Sequence, residues 1–288
     1  MTLIKGKFLT VIPENTSDFL KLSVSKVKTF KSCKAKFFFS YIKKLPKKEW
    51  EFQVFGSFLH EVLERFEQSI LDGCKDADNL ILTKVFKDTL NGEPFKDSPK
   101  EDMTVWKDKL KPEQKTECKE ILSNFLELRK VQKLNNSLPT VIQTEKPFNI
   151  NLDGKILLNG YIDLLQRDVD GVLHVADYKT SKDSKYLKKD FMQLKTYAYA
   201  LCLEDPTLEK VRASYVMLRQ NFNLITIEFT REDVMSSEDE FLEFAKEIED
   251  EKLYRPTTSP LCKYCDYLNH CDDGKRKVGI SFGETDWI

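Results

Sequence analysis

Residues 160–180 read GYIDLLQRDVDGVLHVADYKT, and this stretch decides the fold. It holds two runs of β-forming residues that are joined at an Asp-Gly dipeptide, which is typical of a hairpin turn. Asp163 lies inside the first run, while Asp177 and Lys179 close the second run with one residue between them. Because alternate residues of a strand face the same side, Asp177 and Lys179 are predicted to point the same way.

Two carboxylates and an ammonium at the ends of neighbouring strands indicate a divalent-metal site. Oxygen ligands suit Mg²⁺ or Mn²⁺, and phosphodiester hydrolysis requires a metal that activates water and a cation that stabilises developing charge. Taken alone, Asp177 and Lys179 are better explained as a surface ion pair at the end of a strand. Asp163 is the more informative residue, because a carboxylate inside an apolar run requires a partner or a metal.

Four motifs in order over residues 56–197 resemble the PD-(D/E)XK nuclease superfamily, and specifically its RecB-like exonuclease branch. The family patterns are G-x-x-x-H-x-x-L-E, G-x-(I/V)-D, D-x-K-(T/S) and Q-x-x-x-Y. The matching residues are Gly56, His60, Leu63 and Glu64, then Gly160 and Asp163, then Asp177, Lys179 and Thr180, and finally Gln193 and Tyr197.

The resemblance implies a restriction-endonuclease-like α/β core, in which helices flank a mixed β-sheet. It implies that one or two Mg²⁺ or Mn²⁺ ions are held by His60, Asp163, Asp177 and the carbonyl of Tyr178. Lys179 would then position the attacking water and stabilise the transition state. Gln193 would orient substrate or water, and Tyr197 would support the site or the DNA. Without the resemblance, His60 is an ordinary packed or surface residue of a helix.

Seven cysteines are present, and three of them form CKYCDYLNHC, a C-x2-C-x5-C cluster of Cys262, Cys265 and Cys271. This spacing alone favours zinc. The pattern also resembles a branch of RecB-like nucleases, including AddB-type domains and CRISPR-associated adaptation nucleases, in which a distant N-terminal cysteine completes a [4Fe–4S] site. That cysteine would be Cys33, although Lys34 stands where the family has proline. The resemblance therefore favours a [4Fe–4S] cluster, with zinc as the alternative.

Composition indicates a globular chain of 288 residues, with 41% hydrophobic and 32% charged residues and a net charge of −1. Residues 21–48 carry ten lysines without an acidic residue, whereas Asp and Glu dominate residues 231–252. The basic segment suits a nucleic-acid backbone, while most of its phenylalanines are expected in the core. No apolar run approaches a membrane span. The N-terminus lacks a signal-peptide pattern, and the odd cysteine count favours a reducing, cytoplasmic location.

The chain is expected to divide into three regions. A mostly helical N-terminal region covers residues 1–135, the nuclease core covers 136–255, and a cysteine-rich tail covers 256–288. Helices are predicted at 23–44, 51–72, 186–204 and 231–252, and strands at 140–150, 155–167, 171–178, 210–219 and 222–230.

The functional expectation is a metal-dependent DNA nuclease, most simply an exonuclease acting on single-stranded ends in recombination, repair or phage DNA processing. The chain has no G-x-x-x-x-G-K-(S/T) motif, so a helicase or recombination partner would supply any motor activity. Alternatives are a structure-specific or CRISPR-adaptation endonuclease, and a catalytically inactive DNA-binding or scaffold protein on the same fold.

Overall fold

The computed structural model describes residues 7–8, 19–96, 98 and 100–279. Its strands are β1 (Lys7–Phe8), β2 (Leu20–Leu22), β3 (Thr140–Leu152), β4 (Ile156–Arg167), β5 (Leu173–Lys179), β6 (Lys210–Met217) and β7 (Asn223–Thr230). Its α-helices are α1 (Val24–Ser32), α2 (Lys34–Phe37), α3 (Glu51–Leu71), α4 (Asp78–Asn91), α5 (Pro112–Leu134), α6 (Met192–Glu204), α7 (Arg231–Met235), α8 (Ser237–Asp250) and α9 (Asp272–Lys277).

The strands of the described residues form one mixed sheet in the order β1-β3-β4-β5-β6-β7, with β2 also paired to β4. The β2–β4 and β5–β6 pairs are parallel, and the remaining pairs are antiparallel. Strand β4 is the centre of this arrangement. Its first residues pair with β2 at Leu20–Leu22, while its last residues, from Leu164 onward, pair with β5.

Each face of the sheet is covered by a separate hydrophobic core. One core joins α1, α6 and α8 to one side of the sheet, and Val27, Tyr199 and Phe241 are almost fully buried in it. The other core joins α3, α4 and α5 to the opposite side, where Phe58 and Phe66 are buried. The mixed sheet flanked by helices confirms the predicted fold class. The division at residues 135/136 and 255/256 stays a prediction.

Three predicted helices differ from the observed ones. The helix expected over 23–44 is interrupted at Cys33, which has the extended backbone angles φ −164° and ψ 111°. The helix expected over 186–204 begins at Met192, where the Asp190 carboxylate accepts a hydrogen bond from the Met192 backbone. The acidic helix expected over 231–252 is divided into α7 and α8, although Thr230 caps it as predicted.

The predicted helix over 51–72 and the two predicted hairpins between residues 140 and 178 are confirmed within one or a few residues. Phe30 and Phe37 of the basic segment are buried in the core as expected, whereas Phe38 and Phe39 are only half-buried. Within the described residues, no helix combines the length and apolar character that crossing a membrane requires.

Candidate active site

The candidate site lies where β5 separates from β4. The last residue pair of their ladder is Leu164 with Ala176, so the next residues, Asp163 and Asp177, lie at the opening. The backbone N–H of Tyr178 donates to Asp163 Oδ2 at 3.0 Å. A carboxylate thus accepts a hydrogen bond where the strand ladder has ended, which explains how a polar residue is accommodated inside an apolar strand.

Asp163 is surrounded by other acidic groups. Its side chain is 14% exposed, and burial together with Asp177 and Glu145 raises its pKa well above the usual range. Glu145 lies on β3 between Thr144 and Lys146, which pair with Leu164 and Ile162, so it is opposite Asp163. Burial and the charge of Glu64 raise the pKa of Glu145 to about 7. The site therefore concentrates more negative charge than its surroundings neutralise.

Asp177 and Lys179 share one side of β5, as the alternation predicts, and both face α6. The Lys179 ammonium contacts Asp177 Oδ2 and donates to Gln193 Oε1 at 3.1 Å. Gln193 Nε2 donates to the Tyr197 hydroxyl at 2.8 Å, and that hydroxyl donates to Asp177 Oδ1 at 3.2 Å. These contacts form a closed ring, so the structure brings together the predicted residues of β5 and α6.

His60 approaches the same opening from α3. Its Nδ1 lies 3.3 Å from Asp163 Oδ2, and 32% of its side chain is exposed. The protein atoms packed around the ring lower its pKa, while Asp177 and a hydrogen bond with the Tyr178 backbone act in the opposite direction. The neutral imidazole is therefore favoured, and this is the form that binds metals.

Glycine at position 56 allows α3 to approach the end of β5. A Cβ atom at Gly56 would lie 3.0 Å from the Thr180 hydroxyl, so a larger residue would require the Thr180 side chain to shift. Arg219, which the sequence analysis did not single out, also fixes this strand end. Its guanidinium donates to the Thr180 carbonyl at 2.9 Å and to both Glu117 oxygens, at 2.7 and 3.1 Å.

Glu145 also has an unusual backbone, with φ +44° inside β3. The left-handed region is uncommon for a residue with a side chain, and a residue held there often lies at a functional site. Only the residue type indicated Glu145 in the sequence. Its backbone angle and its position opposite Asp163 depend on the pairing of β3 with β4.

The donor set fits a divalent cation. Asp177 and Glu145 both act electrostatically on Asp163, and the raised pKa values of Asp163 and Glu145 indicate negative charge that a dication would compensate. As the structure stands, no three His, Cys, Asp or Glu side chains of the described residues are arranged to hold a metal ion. The carboxylates instead contact Lys179, Tyr197, His60 and the Tyr178 backbone.

The four cysteines singled out by sequence surround one small cavity of about 30 Å³ beside Phe39 and Tyr267. Cys33 reaches it because the chain is extended between α1 and α2. Backbone N–H groups point at the sulfurs: Thr257 donates to Cys33 at 3.4 Å, Ser259 to Cys262 at 3.3 Å and Gly274 to Cys271 at 3.3 Å. Cys118 and Cys202 are buried in the apolar cores, whereas Cys74 is exposed.

The basic segment has two kinds of lysine. Lys28 pairs with Asp190 at 2.8 Å and Lys34 pairs with Glu251, so these two charges hold the N-terminal helices to the rest of the chain. Lys47 and Lys48 are exposed, and no ion pair involves them within the described ranges. The predicted basic face therefore loses the charges of Lys28 and Lys34, while Lys47 and Lys48 stay available to it.

The sequence profile of the PD-(D/E)XK nuclease superfamily matches residues 21–272. The chain belongs to this superfamily. The match includes all four motifs and the four cysteines that surround the cavity, and the split between β4 and β5 places the D…D-x-K residues of the superfamily together.

Two further comparisons give individual proteins to which this PD-(D/E)XK chain is similar. It is 27% identical over 200 residues to one of the subunits of an ATP-dependent helicase/deoxyribonuclease of Streptococcus agalactiae, and the alignment covers 67% of this chain and 17% of that relative. The chain therefore spans only a small part of the relative's length. A Eubacterium rectale protein assigned as an exonuclease aligns with a TM-score of 0.50 at 13% identity, over 91% of this chain and 93% of that chain. This last likeness concerns the fold.

Proposed function

We propose that this protein is a metal-dependent DNA nuclease that hydrolyses phosphodiester bonds with Asp163, Asp177 and Lys179. One observation carries the proposal. The Lys179 ammonium is held between the Asp177 carboxylate and the Gln193 amide, beside a second buried carboxylate at the opening between β4 and β5. A structural ion pair does not require this second carboxylate, whereas a divalent-metal site for phosphodiester hydrolysis uses such oxygen ligands.

His60, Asp163, Asp177 and the carbonyl of Tyr178 would hold Mg²⁺ or Mn²⁺. Bound there, the ion would polarise the phosphate and lower the pKa of a water molecule. Asp163 and Asp177 would supply the oxygen ligands, and the positive charge of the ion would offset the burial and the neighbouring carboxylates that raise the pKa of Asp163. The low pKa of His60 keeps a ring nitrogen free for coordination.

The remaining residues have positioning roles. Lys179 would donate hydrogen bonds to the attacked phosphate or to the attacking water, and its fixed charge would stabilise the negative charge of the transition state. Gln193 holds that ammonium in place. The pKa of Tyr197 is raised by burial and by Asp177, so its hydroxyl stays protonated and keeps donating to Asp177. These hydrogen bonds hold Lys179, Gln193, Tyr197 and Asp177 in fixed positions before substrate binds.

We propose single-stranded DNA ends as the substrate and a RecB-like, AddB-type relationship as the closer affiliation. The similarity to part of a helicase/deoxyribonuclease supports DNA as substrate and a separate helicase as partner. The alternatives are a structure-specific or CRISPR-adaptation endonuclease and an inactive scaffold. The ring of contacts around Lys179 favours an enzyme over a scaffold, because binding alone does not require it.

A cleavage assay separates these functions. Linear and circular single-stranded DNA of equal length are incubated with the protein in Mg²⁺ or Mn²⁺, and EDTA provides the metal-free control. An exonuclease degrades only the linear DNA, whereas cleavage of the circle identifies an endonuclease. Intact DNA of both forms would overturn the single-strand exonuclease. A branched duplex substrate would then separate a structure-specific endonuclease, which cleaves it, from a scaffold, which does not.

We further propose that Cys33, Cys262, Cys265 and Cys271 hold a [4Fe–4S] cluster, which would join the N-terminal helices to the C-terminal tail. The shared cavity and the backbone N–H groups directed at the sulfurs support this proposal, since such hydrogen bonds stabilise thiolate ligands. The four cysteines line one small cavity, as joint ligands of a single metal centre would. Unpaired thiols throughout the described chain support a reducing, intracellular location.

Metal analysis of anaerobically purified protein tests the cluster proposal. We expect about four irons per chain and broad visible absorption, both lost in Cys33→Ala. Cys74→Ala is the matched control, because this exposed thiol is not among the residues around the cavity, and it should retain all the iron. One zinc per chain without iron would identify a zinc site instead of a cluster. A metal content in Cys33→Ala equal to that of the wild type would show that Cys33 is not a ligand.

A further inference from the structure

Three aromatic side chains form a continuous surface between the cysteine site and the candidate active site. They are Tyr264, Trp50 and Phe52, and we call them the aromatic track. The Trp50 ring lies 5.9 Å from that of Tyr264 and 6.1 Å from that of Phe52. Tyr264 is 49% exposed and Phe52 is 53% exposed. Adjacent exposed aromatics of this size mark an interaction surface rather than a core.

The aromatic track is held rigidly. Trp50 precedes α3 as its N-cap residue, and Phe52 lies in the first turn. The Trp50 indole N–H donates to Asp266 at 2.6 Å, which connects the start of α3 to the cysteine-rich tail. Tyr264 lies between two cysteines of the cavity. The Trp50 ring is inclined by 22° to that of Phe52 and by 75° to that of Tyr264, so the three rings are fixed in defined orientations at the surface.

The aromatic track leads directly into a cleft of about 700 Å³. Phe52 lines the entrance of this cleft, and His60, Glu64 and Thr180 line it further along. The same His60 contacts Asp163. A ligand lying across the rings would therefore reach the carboxylates at the opening between β4 and β5.

The charges along the aromatic track suit a polyanion. The Lys48 ammonium lies 4.3 Å from the centre of the Trp50 ring, and the Lys263 ammonium lies 4.9 Å from that of Tyr264. The nearby acidic residues Glu49 and Glu51 are already neutralised by Lys109 and Lys111, at 2.6 and 2.7 Å. Positive charge among exposed rings is the combination that binds single-stranded nucleic acid.

We propose that the aromatic track stacks on successive bases of single-stranded DNA and directs the strand into the cleft at His60. This inference rests on the proposed nuclease function and adds the path of the substrate. Base stacking tolerates every sequence because each base has a flat face. The lysines would contact the phosphates that alternate with the stacked bases.

Binding of fluorescent oligo(dT) in EDTA, measured by anisotropy, tests the aromatic track without cleavage. Stacking predicts that Phe52→Leu raises the dissociation constant about fivefold or more, and that Tyr264→Leu does the same. Phe52→Tyr is the matched control, because it keeps the ring and should bind as the wild type does. Leu80→Ala removes a similarly exposed apolar side chain, 59% exposed on α4, and should have no effect.

The outcomes separate this proposal from the proposed function. Equal affinity of Phe52→Leu, Tyr264→Leu and wild type would overturn the aromatic track, even if the wild type degrades DNA. A loss in Phe52→Leu that Phe52→Tyr shares would overturn stacking as its cause. If Phe52→Leu and Tyr264→Leu both lose affinity and Phe52→Tyr keeps it, while the wild type cleaves nothing with Mg²⁺ or Mn²⁺, the aromatic track is supported and the nuclease proposal fails.

Discussion

Replacing Gly160 with alanine should disturb the active site through the packing beneath it. Gly160 lies on β4 opposite Phe148 of β3, and the Phe148 ring covers the glycine. A Cβ atom added at Gly160 would lie 2.6 Å from Phe148 Cζ and 2.8 Å from Cε1. Carbon atoms in contact prefer about 3.5–4.0 Å, so the ring would have to move by roughly 1 Å.

The Phe148 ring has little room for this movement. It is 2% exposed, and its other side meets Tyr197 with ring centres 6.0 Å apart. Overpacking of a filled core typically costs about 1–3 kcal/mol, and we expect a loss of that size in the free energy of unfolding for Gly160→Ala. Because Tyr197 donates to Asp177, we also expect a lower cleavage rate.

Urea unfolding followed by circular dichroism measures the first effect. The double variant Gly160→Ala/Phe148→Leu provides the control, since the smaller leucine side chain at position 148 should accommodate the new methyl group. A double-mutant cycle should then give a favourable coupling of about 1 kcal/mol or more between the two positions. An unfolding midpoint for Gly160→Ala that equals the wild-type value would refute this account of the glycine.

Two further predictions concern α3. Burial raises the pKa of Glu67 from 4.5 to about 7 despite its 3.0 Å ion pair with Arg129, so wild-type stability should fall between pH 4.5 and 7 as the unfolded state loses its proton. In Glu67→Gln, the free energy of unfolding measured with urea should depend less on pH, and over this pH range the change should differ from that of the wild type by at most about 3 kcal/mol. The same pH dependence in variant and wild type would contradict the raised pKa of Glu67. His60→Ala should raise the Mg²⁺ or Mn²⁺ concentration that half-maximal cleavage requires; an unchanged requirement would show that His60 only packs against Asp163.

The sequence predicted those parts of the site that depend on local pattern. Alternation along β5 placed Asp177 and Lys179 on one side, and a four-residue spacing placed Gln193 and Tyr197 on one face of α6. Both relations follow from the geometry of a single element. The resemblance to a superfamily added the expectation that His60 joins them, and the structure brings His60 to Asp163.

The features that were missed depend on contacts between distant segments. The break at Cys33 could not be predicted from local pattern, because residues 23–44 read as one helix and the contacts of Cys33 are with the C-terminal tail, more than two hundred residues away. Lys28 was expected to be free for DNA, but it pairs with Asp190, whose position depends on the packing of α1 against α6. The role of Arg219 depends in the same way on where α5 crosses the sheet.

Cleavage of labelled linear single-stranded DNA by Asp177→Asn tests the central claim most directly. Asparagine keeps an oxygen that accepts from Tyr197 but removes the charge that would bind a metal and that contacts Lys179. We predict that the wild type degrades the DNA in Mg²⁺ or Mn²⁺, and that the folded variant, checked by circular dichroism, is slower by at least about a hundredfold. Wild-type rates in folded Asp177→Asn would contradict the assignment of this site.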